Sequence, residues 1–388
     1  MGGTVPNTWQ IKKLGEVCDL IRGSEPGSAS YFNKPSENCV QFIRVGDITG
    51  KVDNPKFVNK KLNNLTIVNL NDVLISFDGT PGVVVKGWNG VISSGIRVIR
   101  NVKPDILKGF LFYYLQTPNV QQIIKFYTTG VTILHASRAI PHIKIPLPPL
   151  PVQKAIVERL DAIKKAQELN DKQIALADEL FQSLLHKELD PKGKNWEIKK
   201  LREICDKIQQ THPQKNFKDK FRYIDIESID SKTNTITEVK TIKVEKAPSR
   251  ARKLIKEGDT IFATTRPYLR NIAYISQEFD NCIASTGFCV IRGKRDLVEP
   301  KFLFFLSLSK AFISRVLTYQ RGASYPAVSD SNIYNLKISL PSLSIQRQIA
   351  QKLQVVQEYK KKLIEQKQKL KELFESCLNK AMKGKLVV

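Results

Sequence analysis

The sequence is poor in the residues that most often carry chemistry alone. Its six cysteines (Cys18, Cys39, Cys205, Cys282, Cys289, Cys377) lie far apart with no C-x-x-C, and its four histidines (His135, His142, His186, His212) form no H-x-x-x-H. That excludes an encoded zinc cage and a disulfide framework. No apolar run approaches the length that crosses a bilayer, and the opening MGGTVPNTWQIKK lacks a signal-peptide stretch, so a soluble cytoplasmic protein is expected. No G-x-x-x-x-G-K-[ST] occurs; the nearest approach, GDITGK from Gly46 to Lys51, is too short between its glycines to cradle phosphates. Acidic residues are scarce as well, with 37 Asp plus Glu against 62 Lys plus Arg, a net charge of +25. An imbalance of that size points to a polyanionic partner. The composition is otherwise ordinary, 41% hydrophobic and 26% charged, and 388 residues exceed one usual core, so two or more folded cores are expected.

The chain matches itself. WQIKKLGEVCDLI, Trp9 to Ile21, returns 187 residues later as WEIKKLREICDKI, Trp196 to Ile208. IPLPPLPVQKAI, from Ile145, returns as ISLPSLSIQRQI, from Ile338, at an offset of 193. Between these anchors RVGDI (Arg44 to Ile48) aligns with RYIDI (Arg222 to Ile226), NDVLISFDGT with GDTIFATTRP, SGIRVIR with TGFCVIR and FLFYY with FLFFL. Framework agrees while interiors differ, as when two domains keep one scaffold and vary their loops. Alternation and short apolar runs predict strands at Asp72 to Phe77, Val91 to Ile99, Asp259 to Ala263 and Phe288 to Ile291, and short helices near Leu107 to Leu115 and Phe302 to Leu306. Trp9 and Trp196 read as core anchors.

After each proline-containing signature a long polar helix begins, with Pro151 and Ser344 placed to start it. Ile156, Leu160, Ile163, Ile174, Ala177, Phe181 and Leu184 follow heptad spacing, with Gln167 and Asn170 as polar interruptions. The second copy repeats it through Ile349, Leu353, Val356, Leu363, Leu370, Phe374, Cys377 and Ala381, interrupted by Lys360 and Lys367. Such stripes are coiled-coil seams. The short linker Asp190 to Asn195 (DPKGKN) makes the two helices antiparallel, which implies a pseudo-two-fold repeat with similar domains at opposite ends of a rod. The tail AMKGKL, Ala381 to Leu386, resembles the linker, so the chain ends are expected to lie close together. The expected architecture is α+β, two similar mixed-sheet domains at 1–150 and 190–343, separated by spacer helices at 151–189 and 344–388.

Charge follows that division: +8 over 1–150, −2 over 151–190, +12 over 191–343 and +7 over 344–388. Phosphate contacts by both heads would make affinity fall steeply with salt. A helix from Val152 to Leu185 spans on the order of 50 Å. Half-sites read from one face of DNA lie about 34 to 36 Å apart. Rod length therefore acts as a ruler.

Two W-x-I-K-K-L entries, two L-P-x-L-x-V/I-Q signatures opening long helices, and variable domains between them resemble the specificity subunit of type I restriction-modification enzymes, from Trp9 to about Leu386. The resemblance implies two target-recognition domains, each reading half of a split site in double-stranded DNA, and helices that dock two methyltransferase subunits. It also implies adenine methylation by those partners, a restriction and translocase subunit joined through the complex, and no catalysis in this chain. S-adenosylmethionine, ATP and Mg are then expected only in partner subunits. No Asn/Asp-Pro-Pro-aromatic tetrapeptide of adenine methyltransferases occurs, and no metal or catalytic residue is expected. An E-x-K nuclease arrangement at Glu197 and Lys199 is set aside because that segment belongs to the repeated framework. The competing reading is a two-headed nucleic-acid scaffold without sequence preference.

Readers of bases must present paired donors or acceptors, and loops after strands are the expected source. In the first domain these are Ser76, Asp78 and Thr80, with Thr132 and His135. In the second they are Thr264, Thr265, Arg266 and Arg270, with Gln320, Arg321, Ser324 and Tyr325. Arg44 and Arg222 are read as equivalent framework positions suited to a phosphate or structural contact, and Ser249 to Lys253 (SRARK) as a phosphate strip or a solvated loop.

Overall fold

The computed structural model describes residues 9–208 and 210–385, which fall into two units: the chain up to Asp171 together with the stretch from Glu365 on, and Lys172–Ile364. The chain ends, and with them Leu386 of the tail expected to mimic the linker, lie outside the described residues.

In the first unit the strands are β1 (Gln10–Lys13), β2 (Asp19–Arg22), β3 (Cys39–Ile43), β4 (Lys56–Asn59), β5 (Ile67–Val68), β6 (Leu74–Ser76), β7 (Val84–Val85), β8 (Gly90–Ile92), β9 (Ile96–Arg100) and β10 (Lys144–Leu147). They form sheets ordered β2-β9-β6-β7 and β4-β3-β8-β5, with β3 and β8 parallel and the other pairs antiparallel. β1 and β10 pair only with each other, Gln10 opposite Leu147 and Lys13 opposite Lys144. The two repeated sequence signatures are thus one structural object, a clasp that ties the domain's entry to its exit.

The second unit repeats the plan. Its strands are β11 (Glu197–Lys200), β12 (Lys220–Ile224), β13 (Ile229–Asp230), β14 (Thr235–Ile236), β15 (Lys240–Lys243), β16 (Ala251–Leu254), β17 (Thr260–Ala263), β18 (Ile272–Tyr274), β19 (Ile283–Ser285), β20 (Phe288–Ile291) and β21 (Lys337–Leu340). β11 and β21 make the clasp, and the sheets are β15-β12-β19-β16, with β12 and β19 parallel, and β18-β17-β20, beside a β13-β14 hairpin. The predicted strand Val91 to Ile99 is in fact two strands in different sheets. Ile96 N–H donates back to the Ser93 carbonyl at 2.9 Å, turning the chain between β8 and β9.

The repeated residues earn their recurrence in the cores. Asp72, buried, meets Arg100 at 2.5 Å, and at the matching place Asp259, fully buried, takes Arg292 in a two-pronged pair at 2.8 Å. The signature glutamines are buried too. Gln153 accepts from Leu107 N–H (2.8 Å) and donates to the carbonyls of Asp105 (2.9 Å) and Pro148 (2.8 Å). Gln346 accepts from Glu299 N–H (2.9 Å) and donates to Leu297 (3.1 Å) and Pro341 (2.8 Å). Each glutamine stitches the first turn of a long helix to the loop that opens a short apolar helix, Lys108–Tyr114 or Pro300–Leu308. Trp196 is only half-buried, at the rim of its core beneath the Lys194 ammonium (4.6 Å), and Trp9 is likewise half-buried, so neither is the core anchor expected.

The long helices run Leu150–Leu189 and Leu343–Ala381. In the first unit Asp171 pairs with Lys367 (2.8 Å) and Gln167 reaches the Leu370 carbonyl (3.1 Å), so numbering advances along one helix as it falls along the other. In the second unit Asp178 with Lys360 (2.5 Å) and Glu188 with Lys352 (3.0 Å) repeat the antiparallel register. The interrupting lysines are therefore ion-paired. Heptad positions Ile156, Leu160, Ile349, Leu353 and Leu363 are buried, and Ile163, Phe181, Leu184, Val356, Leu370 and Phe374 partly so. These seams continue straight into the head cores: Ile156 and Leu160 share a cluster with Phe110, Leu378 and Ala381, while Leu185, Ile349 and Leu353 share one with Phe302 and Phe305.

Candidate nucleic-acid interface

In the first unit β6 runs out into Phe77, Asp78, Gly79 and Thr80, and this loop is laced to the segment 129–136. Gly79 N–H donates to Leu134 O (2.8 Å) and Ala136 N–H to Phe77 O (2.7 Å), while Phe77 N–H holds Gly95 O (3.0 Å). The 129–135 segment closes on itself through Thr129 N–H to His135 O (2.9 Å) and His135 N–H to Thr129 O (2.7 Å). Gly130 makes that closure possible: φ is +104°, and a Cβ there would sit 2.1 Å from the Ile133 carbonyl. Val131, Thr132 and Ile133 are left at an exposed tip. The structure brings Asp78 and His135 together, Oδ1 to Nδ1 at 2.8 Å, with the Arg22 guanidinium 3.9 Å from the same carboxylate. Beneath them the buried Arg97 donates to Ser137 Oγ (2.9 Å) and lies over the Phe77 ring; burial and the nearby Arg22 push its pKa below the ordinary arginine value.

The second unit builds the same frame from other residues. Thr264 N–H donates to Gly287 O (2.8 Å), Arg266 N–H to Pro326 O (2.7 Å) and Val328 N–H to Thr264 O (2.9 Å). Arg321 and Ala327 exchange both backbone bonds (3.0 and 2.8 Å), as Thr129 and His135 do, and Gly322 takes the place of Gly130 at φ +93°. Bond for bond, Asp78 matches Thr265, Gly79 matches Arg266, Thr129 matches Arg321 and His135 matches Ala327. Arg266 and Arg270 both hold left-handed backbone (φ +48° and +56°), which costs about 1–2 kcal/mol per non-glycine residue and bends the loop around Pro267–Leu269. The Arg266 guanidinium lies 5.4 Å from the ring of the exposed Tyr325. Arg321, Ser324 and Tyr325 are exposed, and no described residue ion-pairs with Arg266 or Arg321. Gln320 is half-buried, its Oε1 without a hydrogen-bond partner among the described residues.

Several expected readers are spoken for inside the protein. Ser76 is fully buried, its hydroxyl donating to Thr80 O and accepting from Val83 N–H (3.0 Å), because both faces of β6 are covered, with Leu74 and Ile75 buried beside it. Thr264 is buried with its hydroxyl on Gly287 O (2.9 Å). Arg44 is fastened to its own turn, to Asp47 at 2.9 and 3.0 Å and to Asn54 O at 2.7 Å, a structural contact. Arg222 lies on β12 with its guanidinium on Glu278 O and over Phe279. The two arginines are not equivalent: parallel pairing sets Phe42 against Val91 and Tyr223 against Ile283, so Arg44 corresponds to Asp225 and Gln41 to Arg222. In the 249–253 strip Lys253 is buried, bonded to Phe288 O and Asp330, and unavailable to phosphate. Arg22 and Arg97 escaped the sequence reading because they sit on strands; their duplicated-strand neighbours were the only linear signal.

Two copies of one α+β frame, each ending in a braced loop pair with different side chains on the same backbone bonds, define a paired recognition module. The sequence matches the Type I restriction modification DNA specificity domain over residues 6–177 and again over 193–373, and the chain belongs to that family. It is 26% identical over 407 residues to the Type I restriction enzyme MjaVIII specificity subunit of Methanocaldococcus jannaschii, covering 98% of this chain and 92% of that one. In fold it is similar to the type I restriction-modification S subunit from M. genitalium, at TM-score 0.64, 15% identity and 98% coverage of both chains. A chain of a type I restriction-modification system solved for its complex assembly and conformational transition gives TM-score 0.58 at 20% identity, covering 99% of this chain and 100% of that one. The chain is thus a DNA sequence-specificity subunit, a non-catalytic component that works with DNA and with partner subunits. Among the described residues no helix is long and apolar enough to cross a membrane.

Proposed function

We propose that each unit reads one half of a split DNA sequence through its braced loop pair, with Asp78, Thr80, Thr132 and His135 serving the first half and Thr265, Arg266, Arg270, Gln320, Arg321, Ser324 and Tyr325 the second. The observation that carries this reading is the bond-for-bond identity of the two loop frames beside the difference in what they present. A shared frame fixes how each loop pair meets the groove, and the side chains decide which base edges satisfy it. The two long helices set the gap between the half-sites and dock two methyltransferase subunits, through which a restriction and translocase subunit joins. S-adenosylmethionine, ATP and Mg belong to those partners. The protein works in the cytoplasm, beside the DNA it reads.

The test is to assemble the chain with its methyltransferase partner and sequence the methylated adenines on random DNA. A motif of two fixed half-sites around a fixed gap is expected, with no methylation or cleavage by this chain alone. Turnover by the isolated chain, or binding that random duplex competes away at moderate salt, overturns the reading.

A further inference from the structure

The two loop frames carry opposite chemistry at matched places. The second unit has two guanidinium groups, Arg266 and Arg321, and Thr265 where the first has the Asp78 carboxylate. The first unit has Gly79 and Thr129 in place of the arginines, and its tip is apolar, with Val131 fully exposed and Ile133 more than half so.

In the major groove these choices are not interchangeable. Guanine shows two acceptors, O6 and N7, side by side, which a guanidinium grips with two parallel bonds. Cytosine and adenine show an amino donor, which a guanidinium cannot accept. Thymine alone adds a methyl group, the apolar feature of the groove. Resting on the half-site reading above, we infer that the half-site of the second unit contains a guanine gripped by Arg321, and that of the first contains a thymine whose methyl group packs on the Val131–Ile133 tip.

Arg321 suits that role for three reasons. Its backbone is locked by two bonds to Ala327 and followed by Gly322, whose Cβ would press on the Tyr325 carbonyl at 3.0 Å, so its Cα is held in place. Its side chain is exposed and no described carboxylate competes for it. Arg266, stacked over Tyr325 and bonded through its backbone N–H to Pro326 O beside Ala327, adds a second positive charge to the same loop pair, which favours an edge rich in acceptors. The first unit answers with Asp78 already paired to His135, while its tip presents the hydrocarbon of Val131 and Ile133 on either side of Thr132.

The experiment uses the chain assembled with its methyltransferase partner on a plasmid library with both half-sites randomised. Methylated adenines are mapped by sequencing for the natural chain and for Arg321→Ala, Arg321→Lys and Val131→Ala. The natural chain is expected to fix a guanine in one half-site and a thymine in the other. Both Arg321 variants should relax the guanine on the order of 10- to 100-fold while the other half-site stays unchanged. Lysine keeps the charge and loses the fork, so a lysine variant with full guanine preference would make Arg321 a phosphate contact and overturn the assignment. Retention of the guanine in the alanine variant overturns it equally, and an unmoved thymine in Val131→Ala overturns the second part. A methylated motif with no split overturns the half-site reading itself, a result these variants cannot mimic.

Discussion

Replacing Gln346 by methionine keeps the length and volume of the side chain and removes its polar end. Three backbone groups lose their partner: Glu299 N–H and the carbonyls of Leu297 and Pro341. A net hydrogen bond is worth about 1 kcal/mol, and a buried group left unpaired costs about 1–3 kcal/mol. Pro341 O lies in the buried part of the network while the other two sit where water can reach after relaxation, which puts the total near 3–4 kcal/mol. Hydrogen exchange read by mass spectrometry through a urea titration reports this unit by unit. Protection should fall in the second unit, first around 297–308 and 337–350, and leave the first unit unchanged. Gln153→Met should do the same to the first unit, where Leu107, Asp105 and Pro148 are the partners. Gln346→Glu should be worse at neutral pH, because a carboxylate accepts from Glu299 N–H but faces two carbonyls with no hydrogen to give; acidification returns one donor and part of the stability. A loss below about 1 kcal/mol in both methionine variants, or one spread evenly over the chain, would refute the claim that this glutamine fastens helix to head.

Three further outcomes follow from other parts of the molecule. Asp259→Ala leaves Arg292 without its buried carboxylate and should cost the second unit about 3 kcal/mol in urea unfolding, while Asp259→Asn should cost clearly less. Burial, outweighing the Arg292 guanidinium, holds the Asp259 carboxyl above the usual aspartate range. Its folded pKa therefore exceeds its unfolded one, so its contribution to stability is present below the ordinary aspartate pKa and declines as pH rises through the raised value; the Asn variant should flatten that slope in pH-dependent unfolding. Gly322→Ala forces a side chain into left-handed backbone against Tyr325 O, so site-specific DNA binding measured by fluorescence anisotropy should fall at least tenfold, with a loss of about 1–3 kcal/mol confined to the second unit in urea unfolding. Inserting one heptad into both long helices should change the methylated gap and leave both half-sites readable, and an unaltered gap in the sequenced motif would defeat the ruler.

The long helices and the repeat were legible because their signals are periodic or duplicated, and neither needs a distant partner to be recognised. Heptad burial at Ile156, Leu160, Ile349 and Leu353 follows directly from spacing. Pairing across the fold was not legible: that Gln10–Lys13 lies against Lys144–Leu147 depends on contacts more than a hundred residues apart. The site was half visible. Asp78 and His135 were both picked out from loops, but nothing linear says that they touch; the glycines Gly130 and Gly322, alike in both copies where their neighbours differ, were the available sign of a shared turn. Matching letters misled at Arg44 and Arg222, where strand register makes Arg44 the counterpart of Asp225. Ser76 and Thr264 looked like donors facing outward because hydroxyls favour loops, whereas each is buried where a strand covered on both faces ends, with its hydroxyl spent on a backbone carbonyl.

Leu378, Ala381 and Met382 help fill the core of the first head, more than two hundred residues after that head's own strands have been made. During synthesis the leading half accordingly waits with hydrocarbon uncovered until the closing turns of the second long helix emerge, and each buried leucine restored there is worth about 1.5–3 kcal/mol. A chain cut short before that point is expected to leave the core of the first head open and less stable. Completion of the first head is in this way tied to the closing turns of the second long helix, although its strands are laid down far earlier in the chain.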